Sequence, residues 1–358
     1  MKTTVDAAAF YQAMTALMTI PTKSSVKILQ EIKVEFTKDR CTLSATNFDT
    51  WLSTSIPASG DSFAFVFWNS AAVQKVCRYF TGQLELELFR QKELQVVIMR
   101  NGNKDCKSPV DEVGEYPTWP EFEAERTYAV NAAKLLTCVK QVKYAVDPYS
   151  TRPEYRGILF QDRHIWALEG RRAGCCDDSG LDVKTPFMVG VPALEHLKVF
   201  GDCDIQIDVT ENWITFRNEC IRLTAHRVSN AAPLVYEKIA PQNWKEEICF
   251  NRKDFVQALK YLLARTGKAD RPYVRFDNGT LTLRSTECCY KTEIPIAPQS
   301  SIVFNFNAKL MLDALMQFKK QKTVAMRLTG SLSAILLIAG NSSAIVLPVR
   351  LKEEQNAA

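Results

Sequence analysis

The chain of 358 residues repeats one order of sequence patterns three times, and this repeat limits its possible folds more than any other feature. Each copy opens with a segment of helical periodicity, at 4–14, 129–139 and 249–259. Asp6, Asn131 and Asn251 stand just before the helical pattern. Aspartate and asparagine are preferred N-cap residues, because their side-chain oxygen accepts a hydrogen bond from a free backbone N–H. The pattern predicts three structural units of one design.

Each copy continues with strand patterns and then a second helix. In the third copy, Asn278-Gly279 lies between alternating apolar residues, which is a strong signal for a tight hairpin. A short apolar strand precedes each second helix, and further strands follow it. The second helices are predicted within 69–80, 192–200 and 307–320. The sequence therefore predicts the α+β class, with three repeated domains that each place two helices on antiparallel sheets.

Two segments that mix proline with charge, 115–127 and 236–247, have the composition of linkers. They predict domains at 1–121, 122–243 and 244–358. The alternative is two or three unrelated α+β domains. The same order of elements in all three thirds favours the repeat.

The composition is that of a soluble globular protein, with 46% hydrophobic and 24% charged residues. No apolar run approaches the 18 residues that a membrane-spanning helix needs. The cysteine count, 11, is odd, and no C-x-x-C pair occurs. Scattered free thiols suit a reducing compartment, so we expect a cytoplasmic protein.

Positive charge is concentrated on the predicted helices. These segments carry 13 basic and 3 acidic residues, although the whole chain has a net charge of only +5. Helices that shared one face would present a positive surface suited to phosphate groups, which are alike at every sequence step. The alternative is that these lysines and arginines only solvate an exposed helix face.

Motifs typical of enzymes are missing. The sequence has no phosphate-binding loop of the G-x-x-x-x-G-K type, no G-x-G-x-x-G, no H-E-x-x-H and no G-x-S-x-G. None of its 3 histidines lies at metal-ligand spacing from a cysteine or another histidine. The doublet Asp177-Asp178 could hold a divalent cation, but such a pair is more often a solvated turn. The sequence predicts no catalytic residue, no metal site and no cofactor.

Four segments resemble the bacterial DNA polymerase III beta sliding clamp family. They are LSATNFDTWLSTSIP (43–57), STRPEYRGILF (150–160), IWALEGRRAG (165–174) and AIVLPVRL (344–351). No single segment is decisive, but their order and spacing, together with the threefold repeat, match the family along nearly the whole chain.

The resemblance implies a non-enzymatic DNA clamp fold. Two copies would close head to tail into a ring, with helices lining the hole and sheets outside. Duplex DNA would pass through without sequence preference. The ring would act as a processivity factor. Its partners would be the DNA polymerase III alpha subunit, the clamp loader and other proteins with a clamp-binding peptide.

The DNA-contacting residues would be Lys23, Lys75, Arg78, Lys134, Lys140, Lys143, Lys198, Lys260 and Lys319. The dimer interface would include Cys106, Leu262 and Leu263, because two adjacent leucines near a helix end suit a surface that assembly covers.

The resemblance also implies a hydrophobic peptide-binding pocket between the second and third domains. Its walls would be Tyr155, Leu168, Gly170, Arg172, Ala173, Pro233, Leu332, Ile345, Leu347, Pro348, Val349 and Arg350. Leu168, Arg171 and Ala173 depart from the family's usual Thr, His and Leu, which indicates an altered peptide preference. The alternative is that AIVLPVRL is only a core strand, although Pro348 suits an edge.

Two other functions stay open at this point. One is a clamp-like paralogue or mobile-element clamp that serves a different replisome, which the altered pocket favours. The other is a nucleic-acid enzyme with a dispersed active site. Size in solution separates the enzyme from the clamp, because a ring dimer has twice the mass of the 40.5 kDa chain.

Overall fold

The computed structural model describes residues 1–20, 26–91, 94–229, 234–264, 266, 272–284, 291–296 and 299–350. Lys23, Pro233 and the tail 351–358 lie outside the described residues. Contacts divide the chain into two compact units, Met1–Ala133 with Pro192–Arg227 and Lys134–Val191 with Val228–Ala358. In the described part of the chain, no helix has the length and apolar character needed to cross a membrane.

The first helix of each third begins directly after its predicted N-cap residue, at Ala7, Ala132 and Arg252. The described helices are α1 (Ala7–Leu17), α2 (Ser70–Cys77), α3 (Ala132–Val142), α4 (Val191–Glu195), α5 (Tyr236–Ile239), α6 (Arg252–Leu263) and α7 (Ala308–Gln317). The Asp6 carboxylate accepts from the Ala9 N–H at 2.8 Å, and Asn251 accepts from the Lys253 N–H at 2.9 Å. The short α4 continues as a 3-10 helix, His196–Phe200. The one-turn α5 lies in the second predicted linker.

The described residues form 24 strands. They are β1 (Lys2–Asp6), β2 (Lys33–Phe36), β3 (Arg40–Thr46), β4 (Thr50–Gly60), β5 (Phe63–Phe67), β6 (Gln83–Gln91), β7 (Leu94–Asn101), β8 (Lys104–Asp111), β9 (Arg126–Asn131), β10 (Gly157–Asp162), β11 (His164–Glu169), β12 (Arg172–Cys176), β13 (Val183–Gly190), β14 (Asp204–Val209), β15 (Trp213–Arg217), β16 (Ile221–His226), β17 (Glu246–Asn251), β18 (Tyr273–Asp277), β19 (Thr280–Arg284), β20 (Lys291–Pro295), β21 (Phe304–Asn307), β22 (Thr323–Leu328), β23 (Ile335–Ala339) and β24 (Ser342–Val346).

The strand order repeats three times. In the first third of the chain the strands pair as β1-β6-β7-β8 and β5-β2-β3-β4. The middle third pairs as β9-β14-β15-β16 and β13-β10-β11-β12, and the last third as β17-β22-β23-β24 and β21-β18-β19-β20. Among the described residues, each third thus has the same two antiparallel quartets and two helices, and the middle third has the one-turn α5 in addition. The predicted α+β class with repeated domains is confirmed.

Successive thirds join by strand pairing. In the first unit, β4 pairs with β16 in an antiparallel register that places Leu52 opposite Leu223. In the second unit, β12 pairs with β24 and places Gly174 opposite Ala344. One quartet of the middle third therefore belongs to each unit, which is why contacts divide the chain into two units. The domain limits 1–121, 122–243 and 244–358 stay a prediction.

The last third shows how its helices are held. Phe255, Leu259 and Leu262 of α6 are buried in one apolar cluster with Met311 and Leu315 of α7. The predicted hairpin joins β18 to β19, and Asn278 (φ 40°) and Gly279 (φ 78°) both have the positive φ that a type I′ turn requires.

Candidate nucleic-acid and peptide interfaces

The basic residues predicted to contact DNA are exposed at helix ends. The eight that the structure describes are Lys75, Arg78, Lys134, Lys140, Lys143, Lys198, Lys260 and Lys319. All except Lys134 lie in a last helical turn or just beyond it. The first unit holds three of them and the second unit holds five. The prediction that they contact DNA stays open, because cations at a helix C-terminus also stabilise the helix dipole.

Some of these cations are available for phosphate. Among the described residues, Lys75, Lys140 and Lys260 form no ion pair. By contrast, Arg252 of α6 is buried, and its Nε donates to the Gln321 carbonyl at 3.1 Å. Arg252 therefore fixes the start of α6 and contributes nothing to a positive surface.

The described residues of the predicted peptide pocket meet at one end of the eight-stranded sheet. The turn between β11 and β12 contains Gly170, and a methyl group placed there would lie 3.8 Å from the Tyr155 ring. Arg172 lies opposite Val346 of β24, and the Leu347 N–H donates to the Arg171 carbonyl at 2.9 Å. The hairpin turn and the end of the last strand are therefore neighbours.

Exposure divides the pocket residues into a floor and a rim. Ala173 and Ile345 are buried in an apolar cluster with Leu336 and Tyr236, and Leu168 packs against this cluster. Leu332 and Leu347 are exposed, large apolar side chains. Exposed leucines beside an apolar floor are the surface that can take apolar side chains of a short peptide.

The AIVLPVRL segment has two parts. Ala344, Ile345 and Val346 are buried in β24, as the core-strand alternative requires. The strand ends there, and Pro348 forms only an isolated bridge with Phe306. The residues after Val346 therefore lie outside the sheet's central ladder, where a partner can reach them.

The Arg172 guanidinium already has ionic partners within the fold. It pairs with Asp313 of α7 at 2.7 Å and with Glu169 at 3.1 Å, and it lies over the Tyr144 ring. Arg350 is exposed at the same end of the sheet. Of the two predicted polar anchors, Arg350 is the one that a peptide can reach directly.

The reason for placing Leu262 in the dimer interface is wrong. Leu262 is 0% exposed within the core of the last third, and Leu263 packs partly against the same core. The exposed apolar residue of α6 is Tyr261, with 62% of its surface accessible. An amphipathic helix turns by about 100° per residue, so neighbouring residues face in different directions. Cys106 lies on β8 and is partly exposed.

A group of potential metal ligands was missed by sequence spacing. His164, Cys175 and Asp177 converge at the open end of the β11–β12 hairpin. Ile165 pairs with Cys176, so the register places His164 opposite Asp177. Burial raises the pKa of the Cys175 thiol above its ordinary value, and a hydrogen bond with Asp177 raises the pKa of His164. Gly170, which lies between two strand patterns, is the sequence signal that could have predicted this hairpin and so brought His164 opposite Asp177.

A strand order that repeats in three thirds of the chain, with successive thirds joined by strand pairing, is the topology of a sliding clamp. No family model matches the chain. The beta sliding clamp of Bacillus subtilis (strain 168) is 23% identical to it over 367 residues, which cover 93% of this chain and 95% of that protein.

Solved clamps share the fold. The DNA polymerase sliding clamp from Bacillus subtilis matches with a TM-score of 0.86 and 17% identity, over 98% of this chain and 99% of that one. The DNA polymerase III subunit beta from Pseudomonas aeruginosa matches with a TM-score of 0.86 and 15% identity, over 98% and 100%. The chain thus has the fold of the beta sliding clamps and resembles one of them in sequence along nearly its whole length.

Proposed function

We propose that two copies of the chain close head to tail into a ring around duplex DNA and tether a DNA polymerase to its template. The role of a sliding clamp, which is a non-catalytic processivity factor, follows from the family. The threefold strand order, with thirds joined edge to edge, is the observation that carries the ring.

The two junctions within the chain give a pattern for the dimer. At the first junction β4 pairs with β16, and at the second junction β12 pairs with β24. Strands β4 and β12 each end a quartet ordered like β5-β2-β3-β4. Strands β16 and β24 each end a quartet ordered like β1-β6-β7-β8 in the next third. The strands left for a third junction are β20 and β8. Among the described residues, β20 pairs only with β19. On one edge of β8, only Val110 and Asp111 pair with β5, and the rest of that edge is unpaired in the described part of the chain. Antiparallel pairing of β20 with β8 of a second copy would repeat the junction and close the ring.

The groove beside β20 suits this interface. Its walls include Tyr261 and Ala258 of α6 and Ile294, Pro295 and Ile296 from the β20 side. An exposed apolar groove next to an unpaired strand edge is a surface that assembly can cover. Cys106 lies in the part of β8 that β5 does not cover. The predicted interface therefore keeps Cys106 and replaces Leu262 with Tyr261.

Inside the ring, the exposed lysines and arginines at the helix ends would meet DNA phosphates. Contacts with phosphate are electrostatic and carry no sequence information, so the ring can move along the duplex. Such a protein works where the chromosome is, which in a bacterial cell is the cytoplasm.

The leucine rim at the end of the eight-stranded sheet would bind partner peptides. Its proposed partners are the DNA polymerase III alpha subunit, the clamp loader and other proteins with a clamp-binding peptide. Binding through one or two apolar side chains gives an exchangeable complex, because each contributes about 1.5–3 kcal/mol when buried. Partners that share one site must exchange in this way.

The test of the ring is topological. The full chain is loaded on nicked circular DNA by a clamp loader, separated by gel filtration and then challenged with a restriction enzyme that linearises the circle. We expect the protein to stay with the circle and to leave after linearisation. Equal retention on circular and linear DNA would show gripping rather than encirclement and would overturn the proposal.

A further inference from the structure

The open end of the β11–β12 hairpin brings three different ligand types together. The Cys175 sulfur lies 3.7 Å from His164 Nδ1 and 3.3 Å from Asp177 Oδ1, and His164 Nδ1 lies 2.7 Å from the same carboxylate oxygen. One ligand atom from each side chain lies within 4.8 Å of the other two. Cys175 is buried, while Asp177 is exposed at the edge of a cleft.

A fourth side chain orients the histidine. His164 Nε2 donates to the Glu237 carboxylate of α5 at 2.5 Å. With its Nε2 side held by Glu237, the ring presents Nδ1 to Cys175 and Asp177. Metal-bound histidines commonly donate their second ring nitrogen to a carboxylate, which fixes the tautomer and the ring orientation.

The spacing fits a tetrahedral ion. A zinc ion with bonds of about 2.3 Å to sulfur and about 2.0 Å to nitrogen holds those two ligands about 3.5 Å apart. The observed separation of Cys175 Sγ and His164 Nδ1, 3.7 Å, is close to this value. The short contact between His164 and Asp177 must lengthen by about 0.6 Å to span an ion. Asp177 is exposed, so its side chain has room to move outwards.

We propose that His164 Nδ1, Cys175 Sγ and the Asp177 carboxylate bind one divalent transition-metal ion of the zinc class, with Glu237 as the positioning residue. Thiolate and imidazole ligands favour zinc over magnesium or calcium, which prefer sites made only of oxygen. His164 and Asp177 also line a cleft whose walls include Asp162, Asp182 and Asn341, and this cleft would admit the water that completes a tetrahedral coordination. The thiol proton of Cys175 and the proton between His164 Nδ1 and the Asp177 carboxylate both pass to solvent when the ion binds.

The site would hold the α5 segment on the sheet. Tyr236 of α5 packs on His164 with ring centres 5.4 Å apart, and its hydroxyl hydrogen-bonds Ser343 of β24. Glu237 is the next residue. An ion bound to β11 and β12 therefore reinforces a contact between the hairpin and the chain segment that leads into the last third.

Cobalt spectroscopy of the full chain tests the site. Protein stripped with a chelator under reducing conditions is titrated with Co²⁺. We expect one ion per chain, intense visible bands from tetrahedral coordination and a near-ultraviolet band from thiolate-to-cobalt charge transfer. Zinc should displace the cobalt. Cys175→Ser should lose the charge-transfer band, and His164→Gln should lose tight binding.

Two further variants separate a built site from adventitious binding. Glu237→Gln should keep the thiolate band and weaken zinc affinity by about 10–100-fold, because the ligands remain and only their orientation is lost. The control Cys220→Ser with Cys249→Ser removes two exposed thiols and should leave the spectrum unchanged. A wild-type spectrum without the thiolate band, or a band that survives in Cys175→Ser, would overturn the proposal. If Cys175→Ser does not fold, the wild type and Glu237→Gln test the proposal: it stands if both show the thiolate band and Glu237→Gln binds zinc more weakly, and it fails otherwise.

Discussion

Arg172 Nη1 lies 2.7 Å from Asp313 Oδ2, and this ion pair joins β12 to α7. The Arg172 side chain is only 15% exposed and also lies 5.3 Å from the centre of the Tyr144 ring. The arginine that the family resemblance suggests as a peptide anchor is thus used within the fold. Its neighbour Arg171 is 61% exposed, with its Nη2 3.6 Å from the Glu169 carboxylate.

Arg172→Ala should lower the free energy of unfolding by about 2 kcal/mol, because it removes the partner of the partly buried Glu169 carboxylate, the ion pair with the half-exposed Asp313 and a cation–π contact. Arg171→Ala should change it by less than about 0.5 kcal/mol, as surface substitutions usually do. Urea denaturation followed by circular dichroism measures both. Equal effects of the two variants would contradict the structural role of Arg172.

Cys106→Glu combined with Tyr261→Glu should convert the proposed dimer into monomers, because each proposed interface edge then carries a buried charge. Light scattering should give a mass near 40.5 kDa for the variant and about twice that for the wild type. The control Tyr149→Glu changes a fully exposed tyrosine and should remain dimeric. A dimeric double variant would exclude the β20–β8 interface.

Lys140→Ala with Lys143→Ala should weaken DNA binding at every sequence alike. Each lost phosphate contact lowers the slope of log affinity against log salt by about 0.9. The double variant should therefore lower the magnitude of the slope by up to about 2. The control Lys38→Ala with Lys184→Ala removes the same charge from exposed strand regions. An unchanged slope in the first variant means that α3 does not face DNA.

Leu347→Asp should weaken binding of a Q-L-x-L-F type peptide by about 10–100-fold, the equivalent of about 1.5–3 kcal/mol of lost apolar burial. Leu347 is 41% exposed, and the control Leu94→Asp changes a leucine of similar exposure, 47%, on β7. Fluorescence anisotropy of a labelled peptide measures both. A chain truncated after Pro348, which lacks Arg350, should also bind more weakly. Wild-type affinity in both altered chains would rule out the pocket.

Acid should destabilise the wild type more than a His196→Gln variant. Burial lowers the pKa of His196, with a further contribution from Lys198, and its Nδ1 lies 3.0 Å from the Thr19 hydroxyl. A histidine with a lowered folded pKa binds more protons when unfolded, so stability is lost as the pH falls through about 6.5, the unfolded value. Urea midpoints at pH 8 and pH 5 measure the effect. An equal drop for both proteins would exclude His196 as its source.

Local chemistry explains the features that could be read from the sequence. Asp6 and Asn251 cap helices because their side chains reach the next few backbone N–H groups. Asn278 and Gly279 form a tight turn because both tolerate positive φ. These signals involve residues close in the chain, and their repetition was enough to predict three α+β units.

The pairing of distant segments could not be read in this way. Whether Leu262 or Tyr261 faces the core depends on how α6 is rotated against α7, and both residues fit the apolar stripe of the sequence pattern. Likewise, Arg172 carries the positive charge expected of a polar anchor for a peptide, but only its distance from Asp313 shows that this charge is already paired.

The sequence by itself determined the repeat, the class and the family resemblance, because these rest on local periodicity, caps and turns. The tertiary structure alone decided which described strand edges stay unpaired, and it brought His164, Cys175 and Asp177 together with Glu237. Glu237 lies far along the chain from the hairpin, and only the packing of α5 on the sheet makes it a neighbour. Contacts of this kind depend on the sum of many side-chain interactions across the core, which no short segment encodes.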